Sequence, residues 1–341
     1  MPVLLVTTER FAEHMTPPGH PERYQRAHVM DAVAIWWRER HGATAAPEPA
    51  RHEALARAHD DAYLHRIDAL HGRSAMLDPD TFASPETPEI ARLAAGAAIA
   101  AADHALAGRG SAMALVRPPG HHATRDRAMG FCFYNNVAVA AAHALASGAE
   151  KIAVVDIDVH HGNGTQDIFA ADPRVLYVSI HQHPFYPGTG LASDIGREAG
   201  TGFTVNIPMA AGATDADYLL LQDAVVDPVI DAFGPDLVLV SAGFDAHQRD
   251  PLGGMRVTTE GYVSVIQHLR VLAERHCGGR IALVTEGGYD LDALGACCRG
   301  AIETLAAPAS TAPMPFDGPT DRAEAALAEV LPVQRPFWPA L

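Results

Sequence analysis

Lysine is almost missing from this chain: Lys151 is its sole representative, and every other basic side chain is an arginine. The 25 basic residues face 41 acidic ones, for a formal net charge of −16. No basic run stands out, so the clustered positive charge that a nucleic acid or another polyphosphate partner requires is lacking. Cysteine is scarce too. Cys132, Cys277, Cys297 and Cys298 form no CxxC pair and no regular ladder, which excludes a disulfide framework and makes a reduced, cytoplasmic setting the expectation. Long hydrophobic runs are also wanting. The opening Met1-Pro-Val-Leu-Leu-Val has no basic segment before it and is too short for a secretory leader. The apolar stretch from Ala94 to Ala107 is broken by Asp103 and His104, so it reads as a buried helix rather than a membrane span.

What remains is a core-forming chain. Of 341 residues, 48% are hydrophobic and 19% charged, a balance that supports a sizeable interior and argues against general disorder. Short runs rich in β-branched residues read as buried strands: Ala112 to Val116, Ile152 to Val155, Val175 to Ile180, Phe203 to Ile207, Leu237 to Val240 and Ile281 to Thr285. Helix-like stretches lie between many of them, including Asn136 to Ser147, Asp215 to Phe233 and Thr259 to Cys277. Alternation of this kind predicts an α/β fold, a mostly parallel sheet flanked by helices on both faces. From about residue 307 the composition shifts to Pro and small residues. That tail ends in Arg335-Pro-Phe-Trp-Pro-Ala-Leu, whose apolar side chains suggest docking.

Polar motifs follow the strands. Arg117-Pro-Pro-Gly-His-His, Asp156-Ile-Asp-Val-His-His-Gly-Asn-Gly, Ser179-Ile-His-Gln-His, Ser241-Ala-Gly-Phe-Asp-Ala-His and Glu286-Gly-Gly-Tyr-Asp each come at a predicted strand end. In open α/β sheets the carboxyl ends of the strands form the ligand-binding edge. Asp158 and His160 are two residues apart, so at strand spacing both side chains point the same way, as two ligands of one ion must. Asp245, in a Gly-containing turn after another strand, supplies a third. Three protein ligands with an open position describe a catalytic metal site, and this donor set suits Zn²⁺, with Fe²⁺ or Co²⁺ as alternatives. A bare D-x-H alone is more often an ordinary loop, as is an isolated His-His pair. Asp156 and Asn163 tilt the balance, since each is available to orient one ring of His121 or His122. Tyr289 follows two glycines that permit a close backbone approach to the reacting centre.

Taken together these motifs resemble the histone deacetylase and acetylpolyamine amidohydrolase family, in its class II-like bacterial branch. The resemblance runs from His20-Pro-Glu-Arg23 through Gly130-Phe-Cys-Phe-Tyr-Asn-Asn and Tyr186-Pro-Gly-Thr-Gly190 to Tyr289. It implies an arginase-like fold and a single catalytic domain over 1–341, with zinc on Asp158, His160 and Asp245. His122 would be the main general base and acid, with His121 assisting electrostatically. Asp156 would support His121, Asn163 would support His122, and Tyr289 would polarise the acetyl carbonyl. Phe131 and Tyr186 would wall the acyl tunnel. Structural potassium ions are implied as well, one on Asp156, Asp158, His160, Ser179 and Ile180, a second on Phe169, Asp172, Val175 and Phe203. The implied partner is an acetylated amine, first of all Nε-acetyl-lysine. Leu252 stands near the tunnel mouth, where polyamine-selective relatives carry a glutamate. A ureohydrolase of the same fold would need a two-manganese cluster with extra aspartates, which fits the His-His loop and Tyr289 less well. A module that binds acylated ligands without hydrolysing them would not need this complete catalytic set.

Overall fold

Six of the strand sequences, Ile-Ala-Val-Val-Asp among them, are buried at every position. A strand hydrophobic on both sides needs cover on both faces, the condition of a parallel sheet between helix layers. The computed structural model, which describes residues 2–308 and 313–341, has that form. Its strands are β1 (Val3–Val6), β2 (Ala43–Ala45), β3 (Ala75–Met76), β4 (Phe82–Ala83), β5 (Ser111–Ala114), β6 (Ile152–Asp156), β7 (Val175–Gln182), β8 (Thr204–Met209), β9 (Leu237–Ala242) and β10 (Ile281–Thr285). Eight of them form one parallel sheet in the order β2-β1-β5-β10-β9-β6-β7-β8. β3 and β4 make a separate two-stranded antiparallel ribbon.

Alternate residues of each strand feed two cores. Ala153 and Val155 join the side chains of helices Gln25–Arg38, Thr259–Cys277 and Leu291–Ala306. Ile152 and Val154 face the alanine-rich helices Thr87–Leu106 and Asn136–Ala146. The stretch from Ala94 to Ala107 is therefore the buried helix its composition predicts, and no described helix is long and apolar enough to cross a membrane.

The helix expected over Asp215 to Phe233 is continuous but carries a π-turn at Gln222–Val226. Pro228 explains it: a proline has no N–H for the regular ladder and its ring crowds the preceding turn. The tail docks. Trp338 is buried and donates through Nε1 to the Gly202 carbonyl (2.9 Å), with its ring edge-on to Phe203 and Phe233. Ahead of it lies a helix, Asp321–Gln334, which the Pro-rich composition had concealed. Residues 309–312 of that tail fall outside the described residues.

Register sets the functional edge. Asp156 at the end of β6 lies opposite Ser179 on β7 and Ser241 on β9, while Ala242 lies opposite Thr285 on β10. The loops leaving β6, β9 and β10 consequently emerge side by side.

Candidate metal centre and active site

These three adjacent loops bring Asp158, His160 and Asp245 together. All three are buried, and one donor atom from each lies within 4.8 Å of the others. His160 Nδ1 stands 3.0 Å from Asp158 Oδ1 and 3.1 Å from Asp245 Oδ2. Backbone amides hold the remaining carboxylate oxygens: Val159 N–H donates to Asp245 Oδ1 (2.9 Å) and Gly287 N–H to Asp158 Oδ2 (2.9 Å). The loops can close this far because of two glycines. A Cβ on Gly243 would lie 2.0 Å from Asp158 Oδ2, and one on Gly287 would lie 2.0 Å from Asp245 Oδ2.

Beside this cluster sit two histidines with ring centroids 4.0 Å apart. His121 Nδ1 meets Asp156 Oδ2 at 3.0 Å, and His122 Nδ1 meets Asn163 Oδ1 at 2.8 Å, the two pairings expected from sequence. Asp156 is itself held by the Tyr177 hydroxyl (3.1 Å). Tyr289 is buried across the site, edge-on to Phe131 with centroids 5.9 Å apart. Tyr186 stands edge-on to His122 at 5.1 Å and is partly exposed, so Phe131 and Tyr186 both flank the approach to the histidines. Phe131 adopts a positive φ of 69°, a conformation rare for a bulky residue, and its N–H is anchored by Thr81 Oγ1 (3.0 Å). Leu252 is half-buried and lines a cavity of about 670 Å³ together with Arg23, Tyr24 and Tyr289.

Charge is distributed unevenly here. Burial, the largest influence on His121, disfavours its cation, but Asp156 and Asp158 outweigh burial and push it up to about 10. His122, with no carboxylate of its own, is held well below the usual histidine range by burial and by the charges of His121 and His160. Burial works against the His160 cation as well, yet its hydrogen bonds to Asp158 and Asp245 bring it up to about 10. Asp245 is pushed up to about 7 by burial and by its neighbour Asp158. Glu286 also reaches about 7, again chiefly through burial. Two adjacent imidazoles are thus pushed in opposite directions, His121 toward the cation and His122 toward the neutral form. The excess of carboxylate over cation, converging on a carboxylate–imidazole–carboxylate donor set, fits a divalent ion.

The residues named for the two potassium sites lie in two places. Asp156, Ser179 and Ile180 are on adjacent strands beneath the Asp158–His160 loop. Phe169, Asp172, Val175 and Phe203 lie at the opposite end of β7. There the Phe169, Asp172 and Phe203 carbonyls already accept from Asp172, Val175 and Tyr177 N–H.

Several residues that position the site carry no local signal. Glu22 accepts from Arg117 Nε and Nη2 (both 2.7 Å) and from Arg26 Nη1 (2.8 Å). Arg26 in turn donates to the Glu286 carbonyl (2.5 Å) and the Gly288 carbonyl (2.8 Å), and its guanidinium covers the Tyr289 ring at 5.1 Å. Asp250 Oδ2 accepts from Tyr289 N–H (2.6 Å). Glu286 accepts from Gly120 N–H (2.6 Å) and His121 N–H (3.1 Å), tying the loop after β10 to the His-His loop. Phe185 stacks on His160 at 5.1 Å. Glu22, Arg117 and Glu286 do fall inside the motifs, but their partners lie far away in sequence.

A constellation of this kind, on this sheet, defines the class, and comparison with known proteins gives the family. The histone deacetylase domain model matches residues 18–305, so the chain belongs to the histone deacetylase family, whose members are hydrolases acting on amides. It is 43% identical over 285 residues to histone deacetylase 15 of Arabidopsis thaliana, covering 81% of this chain but 51% of that longer protein. It is 39% identical over 293 residues to a probable deacetylase of Archaeoglobus fulgidus, covering 84% of this chain and 81% of the relative. A histone deacetylase-like amidohydrolase of Pseudomonas aeruginosa shares 44% identity over 261 residues, 75% of this chain and 69% of the relative. The crystal structure of the HDA15 HD domain superimposes with a TM-score of 0.90 at 37% identity, covering 99% of this chain and 97% of that one.

Proposed function

We propose that the chain is a zinc-dependent deacetylase whose preferred substrate is an Nε-acetyl-lysine side chain. The observation that carries this reading is the convergence of Asp158, His160 and Asp245 beside a neutral His122, with Tyr289 across from them. Zn²⁺ held by those three residues would supply Lewis acidity toward the acetyl carbonyl and lower the pKa of water.

The chain's own residues do the rest. His122, neutral at physiological pH, takes the proton from the attacking water and returns one to the leaving amine. Asn163 fixes its ring by accepting at Nδ1, which leaves Nε2 for the proton transfers. His121 stays protonated beside Asp156 and contributes positive charge as the tetrahedral oxyanion forms. The Tyr289 hydroxyl donates to that oxyanion. Its ring is wedged against Phe131 and Arg26 and its N–H is held by Asp250, so the donor is preorganised. Phe131 and Tyr186 exclude water from the acyl chain.

Leu252 decides for acetyl-lysine over acetylated polyamine. An apolar residue at the mouth suits a methylene stem and offers no partner to a second ammonium group. A charge-assisted hydrogen bond contributes about 1.5–3 kcal/mol, or roughly 10- to 150-fold in relative kcat/KM. The wild type should prefer acetyl-lysine peptides to acetylspermidine, and Leu252→Glu should move the ratio toward the polyamine by about that factor. Competing-substrate kinetics test this; a wild-type preference for acetylspermidine, or an unmoved ratio, would overturn the assignment.

A further inference from the structure

In a chain with net charge −16 and no basic run, four arginines nevertheless meet in one place. Arg57, Arg125, Arg174 and Arg197 come from four separate segments and line a cavity of about 550 Å³. Arg174 is neutralised by a two-pronged pairing with Asp172 (2.9 and 2.7 Å). Among the described residues no carboxylate pairs with the other three. Arg125 donates to the Ile168 carbonyl (3.0 Å), and the guanidiniums of Arg57 and Arg197 make no hydrogen bond or ion pair. Arg57 also lines an adjoining cavity with Arg51, where Glu48, Glu53 and Asp103 supply the opposite charge, so the positive surface stops at the first cavity. The floor is apolar, built from Leu145, Ile168 and Phe169.

Guanidiniums left unpaired around a concave apolar floor are a recognition arrangement for phosphate, since each offers a planar fork of donors. An apolar floor suits the organic part of such a ligand. The acidic charge balance argues against a polyphosphate partner, but these arginines are distant in the chain and cluster only through the fold. We infer that this cavity is a binding site, separate from the metal centre, for a small organic molecule bearing two or more phosphate groups and an aromatic moiety, of the nucleoside diphosphate type. The site sits behind the catalytic loops. Arg125 follows His122 by three residues, and the carbonyl it holds belongs to the helix Asn163–Phe169, whose first residue orients His122.

Titration calorimetry with ADP, pyrophosphate and adenosine on the metal-loaded full chain tests the site independently of its activity. ADP should bind most tightly, pyrophosphate more weakly, and adenosine below detection. The double variant Arg57→Ala/Arg197→Ala removes two exposed side chains and should keep the wild-type melting temperature. It should weaken ADP roughly tenfold or more. Equal affinity for ADP in the double variant, which includes binding at the metal centre alone, overturns the proposal. So does adenosine binding as well as ADP, or pyrophosphate binding as tightly as ADP.

Discussion

Two buried charge clusters lie almost back to back in this protein, and they are composed on opposite principles. In the first, a single carboxylate, Glu22, is clasped by two guanidiniums, Arg26 and Arg117, and all three side chains are closed to solvent. In the second, four buried carboxylates, Asp156, Asp158, Asp245 and Glu286, share two imidazoles that are driven toward the cation. The first has one guanidinium more than carboxylate, but its remaining N–H groups are taken up by the carbonyls of Phe11, His14, Glu286 and Gly288, and its job is to hold loops. The second carries surplus negative charge, which is costly to bury and persists where a positive ligand is to be received. What distinguishes scaffold from active centre is the sign of the surplus charge and whether the protein's own groups satisfy it.

That contrast can be broken most forcefully at Asp245. Asp245→Ala should lower deacetylation by more than the roughly 10²–10³ that a single oxyanion donor contributes, and should strip most of the metal from purified protein. Elemental analysis showing full metal occupancy would remove Asp245 from the ligand set. The scaffold cluster should respond in stability instead. Glu22→Gln leaves two guanidiniums buried without their carboxylate and should cost about 3–5 kcal/mol in denaturant unfolding, with the metal content of folded protein unchanged. The sign with pH follows. Arg117 and Arg26 overcome burial and hold Glu22 well below its ordinary 4.5, so its contribution is present above pH 4.5 and lost as the pH falls beneath it. The variant should therefore lose less stability than the wild type on acidification.

Tyr289→Phe removes one hydroxyl at the boundary between the clusters. It should reduce kcat by roughly 10²–10³ on an unactivated acetamide with metal content and melting temperature preserved. Near-normal turnover would show that the hydroxyl is not the carbonyl donor. The subtlest probe is Asn163→Asp. A carboxylate beside His122 favours its cation, so the acidic limb of the kcat/KM profile should move up by roughly one pH unit. An unmoved limb would mean that His122 does not set it.

The fold was largely legible because its central strands are short runs dominated by apolar, often β-branched residues. The six predicted strands appear within two residues of their expected limits. β1 and β2 were passed over: Val3–Val6 was weighed only as a leader, and Ala43–Ala45 is largely exposed at the sheet edge. The convergence of Asp158, His160 and Asp245 was readable from strand ends alone, because parallel topology forces neighbouring loops together. Glu22, Arg26 and Asp250 were not. Each acts on a partner tens to hundreds of residues away, and nothing in local spacing reveals which charge a buried arginine will meet.

The helix Asp321–Gln334 closes the molecule in a way the family match, ending at residue 305, does not capture. β8 is the last strand of the sheet, and Phe203 just before it spends its carbonyl on β7 through Tyr177 N–H. The next carbonyl, that of Thr204, faces the other way, and Gln334 Nε2 takes it up at 3.0 Å. An uncovered terminal strand is a template on which another chain can extend the sheet. A version cut back to the matched segment would keep the residues of the candidate site and yet bare that template, an edge that the tail covers.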